Sequence, residues 1–331
     1  MNFSNTTVIV PSRNRPASVL ALLAYLREEL GWECRVVVVD QSDDRGARLS
    51  AHLAEAGATH LVDDARGAGA ARNKGASTCA TEWILFLDDD VRPSREYWRS
   101  LSDFVRRNPW ADAVQGRTEQ REAWRKYSAD PQSWLRNTRE ERLYRTSFPE
   151  EWTAAERLSS APWGNYAALT IGTGSGNLLV SRRAFFGAGG FDERIEGLGD
   201  DREFGLRMWW LGYRTSFCPD AIAFHLRESE GGLRGRGNWK RRWFGPDPSP
   251  GALYLYLKWM PGHAWREMIA WRVLKLARRP WSLPVNAFRL MRSARAAREL
   301  HRRGAKHLSD PLPRAAAIQD AILQYSTNLG A

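Results

Sequence analysis

Short apolar runs alternate with helix-like stretches in the first part of the chain, and this alternation is the feature that most constrains the fold. The runs that predict strands are residues 6–10, 35–39, 60–62 and 83–87. Strands that alternate with helices predict a parallel sheet with helices on both faces. Right-handed crossovers then bring the carboxyl ends of these strands, with Pro11, Asp40 and an acidic block after residue 87, to one edge of the sheet.

The acidic block consists of three consecutive aspartates, Asp88, Asp89 and Asp90, directly after the apolar run at residues 83–87. Like charges repel, and a divalent cation offsets that repulsion because hard oxygen ligands suit magnesium and manganese. Ligands of open α/β sheets bind just beyond the carboxyl ends of the strands. The block therefore predicts a metal-assisted site for a phosphorylated ligand. The alternative from these residues alone is a solvated acidic turn that caps a helix beginning near Pro93.

Length and composition restrict the class of protein. At 331 residues and 43% apolar content, we expect one large domain, or a domain with an appendage. Cys34, Cys79 and Cys218 are far apart and form no metal-ligand spacing, which predicts a reducing compartment without a disulfide framework. We find neither a signal-peptide pattern nor an apolar run of the ~18 residues that a spanning helix needs. The expectation is a cytoplasmic protein.

The net charge of +11 is unevenly distributed. Residues 251–310 contain thirteen Lys or Arg against three Asp or Glu, and the rest of the chain is close to neutral. A basic segment on a near-neutral body predicts an anionic partner: a membrane, a nucleic acid or a polyanionic glycan. Sixteen tryptophans favour the membrane interface, so we expect a peripheral location on the inner face of the cell membrane. The alternative is a basic helical face that is merely solvated.

The middle of the chain contains further predicted elements. Strands are predicted at residues 113–116 and 178–180 and in the run that ends at His225, and a helix is predicted over residues 201–211 with Gly212 as its C-terminal cap. Residues 118–160 are charged and rich in tryptophan. One interpretation of this stretch is a helical cover over the site.

The pattern changes from Gly251 onward. Apolar residues at helical spacing predict an amphipathic helix through Trp265, Ile269, Val273 and Leu276. A second, strongly basic helix is predicted from about residue 285 to residue 303.

A set of short motifs occurs in a fixed order along the chain. It comprises Pro-Ser-Arg-Asn-Arg-Pro at 11–16, Asp-Gln-Ser-Asp-Asp at 40–44, Ala-Arg-Asn-Lys-Gly at 71–75, Leu-Asp-Asp-Asp at 87–90, Gly-Gly-Phe-Asp-Glu at 189–193, Gly-Asp-Asp-Arg-Glu at 199–203, Gly-Tyr-Arg at 212–214, Pro-Asp at 219–220 and a histidine at 225. This order resembles the family-2 glycosyltransferases with the GT-A fold over roughly residues 6–226. The resemblance implies an α/β fold of the GT-A type, with a mainly parallel nucleotide-binding sheet flanked by helices and a C-terminal amphipathic helical appendage.

The resemblance also implies a domain division. Residues 1–245 would form the catalytic domain, with a nucleotide-sugar-binding half at 1–117 and an acceptor-side half at 118–245. Residues 251–331 would form the basic, aromatic helical segment.

The resemblance assigns residues to the donor side. The aspartate block matches the family's DxD motif, so Asp88 would lie near the ribose or base end of a nucleotide-sugar and Asp90 would hold Mg²⁺ or Mn²⁺ at the diphosphate. The donor-binding residues implied in this way are Pro11, Ser12, Arg13, Asp40, Arg72, Asp88, Asp89 and Asp90. His225 matches a position that contacts the metal or the diphosphate, although a lone histidine at a strand end can equally be an ordinary polar residue.

The resemblance places the catalytic base at Asp201, the second acid of the family's Glu-Asp pair. Asp200 stands where glutamate is usual, so which of the two carboxylates reaches the acceptor stays open. The alternative for both is an acidic helix N-terminus.

Acceptor-side residues would be Gly176, Asn177 and Asp200. The Gly-x-Gly-x-Gly spacing at 172–176 lacks the context of a dinucleotide fingerprint, and we expect it to let the backbone approach the sugar.

Two arginines among glycines, Arg234 and Arg236, could close over the diphosphate, since guanidinium forks suit phosphate oxygens. The alternative is a solvent-exposed basic linker.

The function that these features favour is a metal-dependent, inverting glycosyltransferase of the hexosyltransferase type. It would move a sugar from a nucleotide-sugar, UDP-linked in the family's common case, to a hydroxyl of a glycan or lipid-linked acceptor. One alternative is a sugar nucleotidyltransferase, but the glycine-rich signature of those enzymes, which ends in Thr-Arg, differs from the sequence at residues 11–14. A nucleic-acid-binding protein is the other alternative; it leaves Asp88–Asp90, Asp200 and Asp201 unexplained, so no nucleic-acid partner is expected.

Overall fold

A single mixed sheet is the framework of the computed structural model, which describes residues 3–44, 46, 47, 49–134, 173–195, 199–228, 250–259 and 283–304. Within these ranges eight strands pair in the order β3-β2-β1-β4-β7-β6-β8-β5. The strands are β1 (Thr6–Ser12), β2 (Arg35–Asp40), β3 (Thr59–Val62), β4 (Trp83–Leu87), β5 (Val91–Pro93), β6 (Ala113–Gln120), β7 (Asn177–Ser181) and β8 (Thr215–His225).

The first half of the sheet is parallel, as the alternating pattern predicts. Strand β1 pairs in parallel with both β2 and β4, and β2 pairs in parallel with β3. Strand β7 then runs antiparallel between β4 and β6, so the sheet becomes mixed on its other side. The α/β prediction is therefore confirmed, and the carboxyl ends of β1, β2 and β4 meet at one edge.

Helices cover both faces of the sheet. They are α1 (Pro16–Ala24), continued by a π-helical turn (Tyr25–Glu29), α2 (Ser50–Glu55), α3 (Ala68–Ser77), α4 (Tyr97–Arg107), α5 (Arg121–Ala129), α6 (Arg182–Gly187), α7 (Asp200–Trp210), α8 (Pro250–Trp259) and α9 (Leu283–Gly304). Helix α7 is the one predicted over residues 201–211. Gly212 follows it with φ +85°, the left-handed conformation that glycine adopts most easily after a helix, so the predicted cap is confirmed.

The core consists of two apolar layers on opposite faces of the sheet, because successive strand residues point to opposite sides. Val8, Val36 and Leu85 belong to the layer under α1 and α4. Ile9 and Phe86 belong to the other layer, with the apolar residues of α3, α6 and α7. Each such fully buried aliphatic or aromatic side chain contributes about 1.5–3 kcal/mol relative to exposure, so the site-bearing edge rests on a rigid support.

The region after β6 differs in part from the prediction. Strand β6 continues to Gln120, beyond the predicted end at residue 116, because it resumes pairing with β8 after a register shift between Gly116 and Arg117. Helix α5 follows at once, and Tyr127 and Trp134 pack with Phe224 of β8. Most of the stretch predicted as a helical cover, from residue 135 onward, lies outside the described residues.

The described part of the C-terminal segment packs on the domain that contains the sheet. Leu253 and Tyr254 of α8 form one apolar cluster with Leu290 and Ala297 of α9 and with Ile195. Helix α9 confirms the predicted basic helix, whereas the predicted amphipathic helix around Ile269 lies outside the described residues. Among the helices described, none combines the length and the apolarity required to cross a bilayer. The domain boundary near residue 250 stays a prediction.

A buried ionic cluster also joins α8 to the body. Lys258 Nζ lies 2.6 Å from Glu203 Oε1 of α7 and 3.3 Å from Asp192 Oδ2. Burial opposes the ionisation of Asp192, but a hydrogen bond from Arg194 and the Lys258 charge outweigh that effect and lower the Asp192 pKa to about 2. Asp192 and Glu203 are both buried, so the Lys258 ammonium group stabilises carboxylate charges that water does not reach.

Lys258→Met should destabilise the protein by about 1–3 kcal/mol, because two buried carboxylates lose a shared cationic partner and each keeps one arginine, Arg194 or Arg207. The free energy of unfolding in urea measures this loss. Arg302→Met is the matched control: Arg302 is 79% exposed in a helical pair with Glu299, and its loss should cost less than about 0.5 kcal/mol. Equal stabilities of the two variants would contradict a buried ionic role for Lys258.

Candidate active site

The three aspartates follow β4 at the edge where the parallel strands end. Asp89 and Asp90 are only 4% and 3% exposed, and Asp88 is half-buried. Helix α4 begins only at Tyr97, after the short strand β5. The interpretation of the block as a solvated helix cap is therefore wrong, because two of its three carboxylates are withdrawn from water.

One oxygen each from Asp88 and Asp90 and one ring nitrogen of His225 lie within 4.8 Å of one another. The antiparallel pairing of β5 with β8 places His225 opposite Val91, next to the aspartates. His225 Nε2 is 3.1 Å from Asp90 Oδ1. Burial opposes the ionisation of Asp90, but hydrogen bonding and charge from His225, followed by Arg15, lower its pKa to about 2. Two carboxylates and an imidazole suit Mn²⁺ and are acceptable to Mg²⁺.

Gly176 provides the space beside this cluster. A Cβ at position 176 would lie 2.7 Å from Asp88 Cγ, closer than any normal contact. The Gly176 carbonyl also accepts a hydrogen bond from the Asp88 N–H. The residues therefore fit a bound divalent cation: the ligand atoms converge, and a glycine leaves the Asp88 carboxylate room to turn toward it.

Gly176→Ala should weaken Mn²⁺ affinity by about tenfold or more, because the new methyl group displaces the Asp88 carboxylate. Isothermal titration with MnCl₂ measures this change. Gly57→Ala is the control: Gly57 has φ +63° and open space around it, so alanine there strains the backbone far from the site and should leave Mn²⁺ affinity unchanged. Unchanged Mn²⁺ affinity in Gly176→Ala would count against Asp88 as a ligand.

Arg15 neutralises the aspartate block, a role that the sequence did not predict. Its Nη1 donates to Asp89 Oδ1 at 3.0 Å and to Asp90 Oδ2 at 3.2 Å, and its Nη2 donates to the Glu228 carbonyl. Arg13, which was predicted to bind the donor, pairs with the exposed Asp43 at 2.9 Å, and its role toward a donor stays a prediction. The two arginines occupy the same loop, so only the tertiary structure distinguishes them.

Asp89 lies behind its two neighbours. Its carboxylate accepts a hydrogen bond from Ser12 Oγ at 2.8 Å. Burial, followed by the charge of Asp90, raises the Asp89 pKa to about 7, although Arg15 opposes the shift. Ser12 and Asp89, both predicted to bind the donor, contact each other and brace the ends of β1 and β4.

Asp40 ends β2 next to Ser12 in the parallel register and is fully buried. Its Oδ1 accepts the Ser42 N–H, whereas its Oδ2 has no hydrogen-bond partner. His60 Nε2, also without a hydrogen-bond partner, lies 3.6 Å away. A buried carboxylate oxygen without a hydrogen-bond donor is costly, and the His60 ring is the polar group that lies beside it. His60 has no signal in the sequence beyond its place in a short strand.

Arg72 connects the aspartate block to helix α7. Its Nη2 donates to Asp88 Oδ1 at 2.6 Å and its Nη1 to Asp200 Oδ2 at 3.1 Å, and the side chain is buried. Burial, followed by the charge of Asp201, raises the pKa of Asp200. Asp201 is half-buried at the same helix N-terminus, so it is the more accessible of the two acids.

Asn177, predicted on the acceptor side, is buried and fully engaged. Its Oδ1 accepts from the Tyr97 hydroxyl at 2.5 Å, and its Nδ2 donates to the Arg117 carbonyl at 3.1 Å. Pro11 lies in β1, one residue before Ser12. Arg234 and Arg236 lie outside the described residues.

Comparison with known protein sequences shows that this chain is similar to glycosyltransferases. Residues 7–157 match the family model described as Glycosyl transferase family 2. The chain is 31% identical over 103 residues to an uncharacterized glycosyltransferase of Haemophilus influenzae, which covers 31% of this chain and 35% of that protein. It is 35% identical over 104 residues to the pre-mycofactocin glycosyltransferase of Mycobacterium tuberculosis, which covers 29% of this chain and 20% of that protein. The chain thus spans about a third or less of these relatives.

Solved structures support the fold. A mannosyltransferase from Pyrobaculum calidifontis in complex with GDP-Man and Mn²⁺ matches with a TM-score of 0.50 and 21% identity, over 98% of this chain and 86% of that one. GalNAc-T7 with UDP, GalNAc and Mn²⁺ matches with a TM-score of 0.52 and 13% identity, over 78% of this chain and 48% of that one. The fold is that of the GT-A glycosyltransferases. The match of residues 7–157 to the glycosyltransferase family 2 model agrees with the resemblance inferred from the motifs.

Proposed function

We propose that the protein transfers a sugar from a nucleotide-sugar to a hydroxyl group of a glycan or lipid-linked acceptor, with inversion at the anomeric carbon. The observation that carries the proposal is the convergence of Asp88, Asp90 and His225 at the carboxyl end of β4. Such a cluster can hold the divalent cation that a nucleoside diphosphate requires. A UDP-linked sugar is the first donor to test, and Mg²⁺ and Mn²⁺ are both candidate ions.

Residues at the ends of β1 and β2 are the proposed donor cradle. Asp40 at the end of β2 would lie on the nucleobase side of the cradle, and Pro11 and Ser12 lie at the end of the adjacent strand. The predicted donor-binding set is completed by Arg13, Arg72, Arg234 and Arg236. When bound, the cation would neutralise the diphosphate and act as a Lewis acid for its departure. Arg15 and Ser12 would keep Asp89 and Asp90 in place whether or not the ion is present.

The acceptor side is assigned to the N-terminus of α7. Asp201 would accept the proton of the acceptor hydroxyl while the oxygen attacks the anomeric carbon, and the bond from that carbon to the phosphate oxygen breaks. Attack opposite the leaving diphosphate inverts the configuration. Asp200 is held by Arg72 and would position α7 rather than meet the acceptor. Gly176 and Asn177 would shape the floor of the site.

A thermal-shift screen of nucleotide-sugars tests the proposal most directly, because a ligand raises stability in proportion to ln(1 + [L]/Kd). The screen should include UDP-linked and GDP-linked sugars, since the two structural neighbours were solved with UDP and with GDP-Man. We expect one class of donor to raise the melting temperature only when Mn²⁺ or Mg²⁺ is present. The same donor should then lose its sugar to water slowly and to an acceptor glycan faster. Absence of any metal-dependent shift in folded protein would overturn the proposal.

A further inference from the structure

We infer that the outward face of helix α9 is a docking surface for an anionic lipid bilayer. We call it the α9 face and define it by Val285, Phe288, Met291, Arg292, Arg295, Arg298 and Arg302. The inference does not depend on the proposed enzyme activity, because it concerns binding to a surface and is measured without turnover.

The orientation of α9 is fixed by its opposite side. Asn286, Leu290, Ser293 and Ala297 are buried and recur at spacings of three and four, so they form one stripe along the helix. Leu290 and Ala297 of this stripe pack on α8, and α8 is held to the body by Lys258. The face opposite this stripe therefore points away from α8 and the rest of the described protein in a defined direction.

The α9 face carries an unusual exposed apolar patch in its first turns. Phe288 is 62% exposed and Met291 is 64% exposed, and Val285 stands beside them. These three are half of the exposed large apolar residues in the described part of the chain. Single exposed apolar residues are ordinary, but three neighbours on one face of one helix indicate a partner.

The charge on the helix identifies the chemistry of that partner. Helix α9 contains six arginines and a single glutamate. Arg292 and Arg295 follow the apolar patch at once on the exposed side, and Arg298 and Arg302 extend it. An apolar strip flanked by arginines is typical of helices that lie in the membrane interface, where apolar groups enter the acyl boundary and guanidinium groups meet lipid phosphates.

A lipid surface fits these observations better than another protein chain. An interface between two copies of this chain would place two sets of arginines close together, and like charges oppose such a contact. A bilayer that contains anionic lipid offers both an apolar layer and a sheet of negative charge to the same helix. The α9 face would then hold the rest of the protein at the membrane in one orientation.

Co-sedimentation of the full chain with phosphatidylcholine vesicles, with and without phosphatidylglycerol, tests the inference. We expect binding that needs phosphatidylglycerol and weakens as salt is raised. Phe288→Ser with Met291→Ser, and separately Arg292→Glu with Arg295→Glu, should each weaken binding by at least about tenfold. All four positions are largely exposed, so the variants should fold, and circular dichroism checks this.

Matched controls isolate the α9 face from general effects. Leu211→Ser removes an exposed apolar residue elsewhere, and Arg99→Glu with Arg106→Glu reverses two exposed arginines on α4. Both controls should bind the vesicles as the parent does.

Three outcomes would overturn the inference. The first is equal binding by all variants, and the second is equal binding to neutral and anionic vesicles. The third is a lack of vesicle binding together with a dimer that Phe288→Ser and Met291→Ser dissociate, which would assign the face to a second copy of the chain.

Discussion

Asp90→Asn should abolish the Mn²⁺-dependent binding of the donor and lower the rate of sugar transfer by about a hundred- to a thousandfold. Asp90 joins His225 and Asp88 in the candidate cation site, and an amide is a much weaker ligand than a carboxylate. Electrostatic stabilisation by a bound cation is worth several kcal/mol, and each 1.4 kcal/mol corresponds to a factor of ten in rate. Titration calorimetry with donor at fixed MnCl₂ and a product assay measure the two effects.

Asp90→Asn should leave the fold intact. A control substitution separates the loss of a cation ligand from the general effect of replacing an aspartate. The amide oxygen of the substituted side chain can still accept hydrogen bonds from Arg15 and from the Glu228 N–H, as Asp90 Oδ2 does now. Asp103→Asn on α4 removes an acid from a helical pair with Arg106 and should change neither donor binding nor rate. Full Mn²⁺-dependent affinity in folded Asp90→Asn would remove this residue from the cation site.

Asp201→Asn should bind donor with near-normal Mn²⁺-dependent affinity and yet lose transfer by about 10²–10⁴-fold. General-base assistance contributes this much, and an amide cannot accept the acceptor's proton. Asp201 does not belong to the cation cluster, so donor affinity has no reason to change. Calorimetry for the donor and initial rates at saturating acceptor measure the two quantities.

Asp200→Asn is the matched variant one residue away. Its side-chain oxygen can still accept the Arg72 hydrogen bond, so the body should tolerate it, and transfer should fall far less than in Asp201→Asn. The reverse result, with Asp201→Asn active and Asp200→Asn inactive, would assign the role of general base to the buried Asp200. The Asp200 pKa, raised by burial and by Asp201, would then suit a base that works near neutral pH.

Much of the sheet could be predicted because its signal is local. Strand β4 occupies the predicted residues 83–87, and the ends of β1, β2 and β4 follow from where apolar runs meet polar residues. The short strand β5 and the second half of β6 could not be predicted in the same way. Both exist because β8 offers them backbone partners from more than a hundred residues away, and no local pattern records that pairing.

The residues of the candidate site also divide into those that a local sequence pattern reveals and those that only distant contacts reveal. The aspartate block stands out because like charges in sequence are visible without a structure. Arg15 and His60 do not stand out in the sequence, because the aspartates that they contact, Asp89 and Asp40, lie 74 and 20 residues away along the chain. The sequence does not distinguish Lys258 either, because it lies in a segment rich in basic residues, most of which are expected to be solvated. Only its contacts with Glu203 and Asp192 show that it has a different role.

Arg72 touches both halves of the proposed reaction with one guanidinium group, through Asp88 at the end of β4 and Asp200 at the start of α7. A cation bound by Asp88 would compete with Arg72 for the charge of that carboxylate, and the second hydrogen bond of Arg72 ties it to the helix that carries the proposed base. Occupancy of the proposed donor side would thereby influence the proposed acceptor side through the two hydrogen bonds of Arg72. Such a relay favours a compulsory order of substrates, in which the nucleotide-sugar enters first and the acceptor meets a helix already set for it.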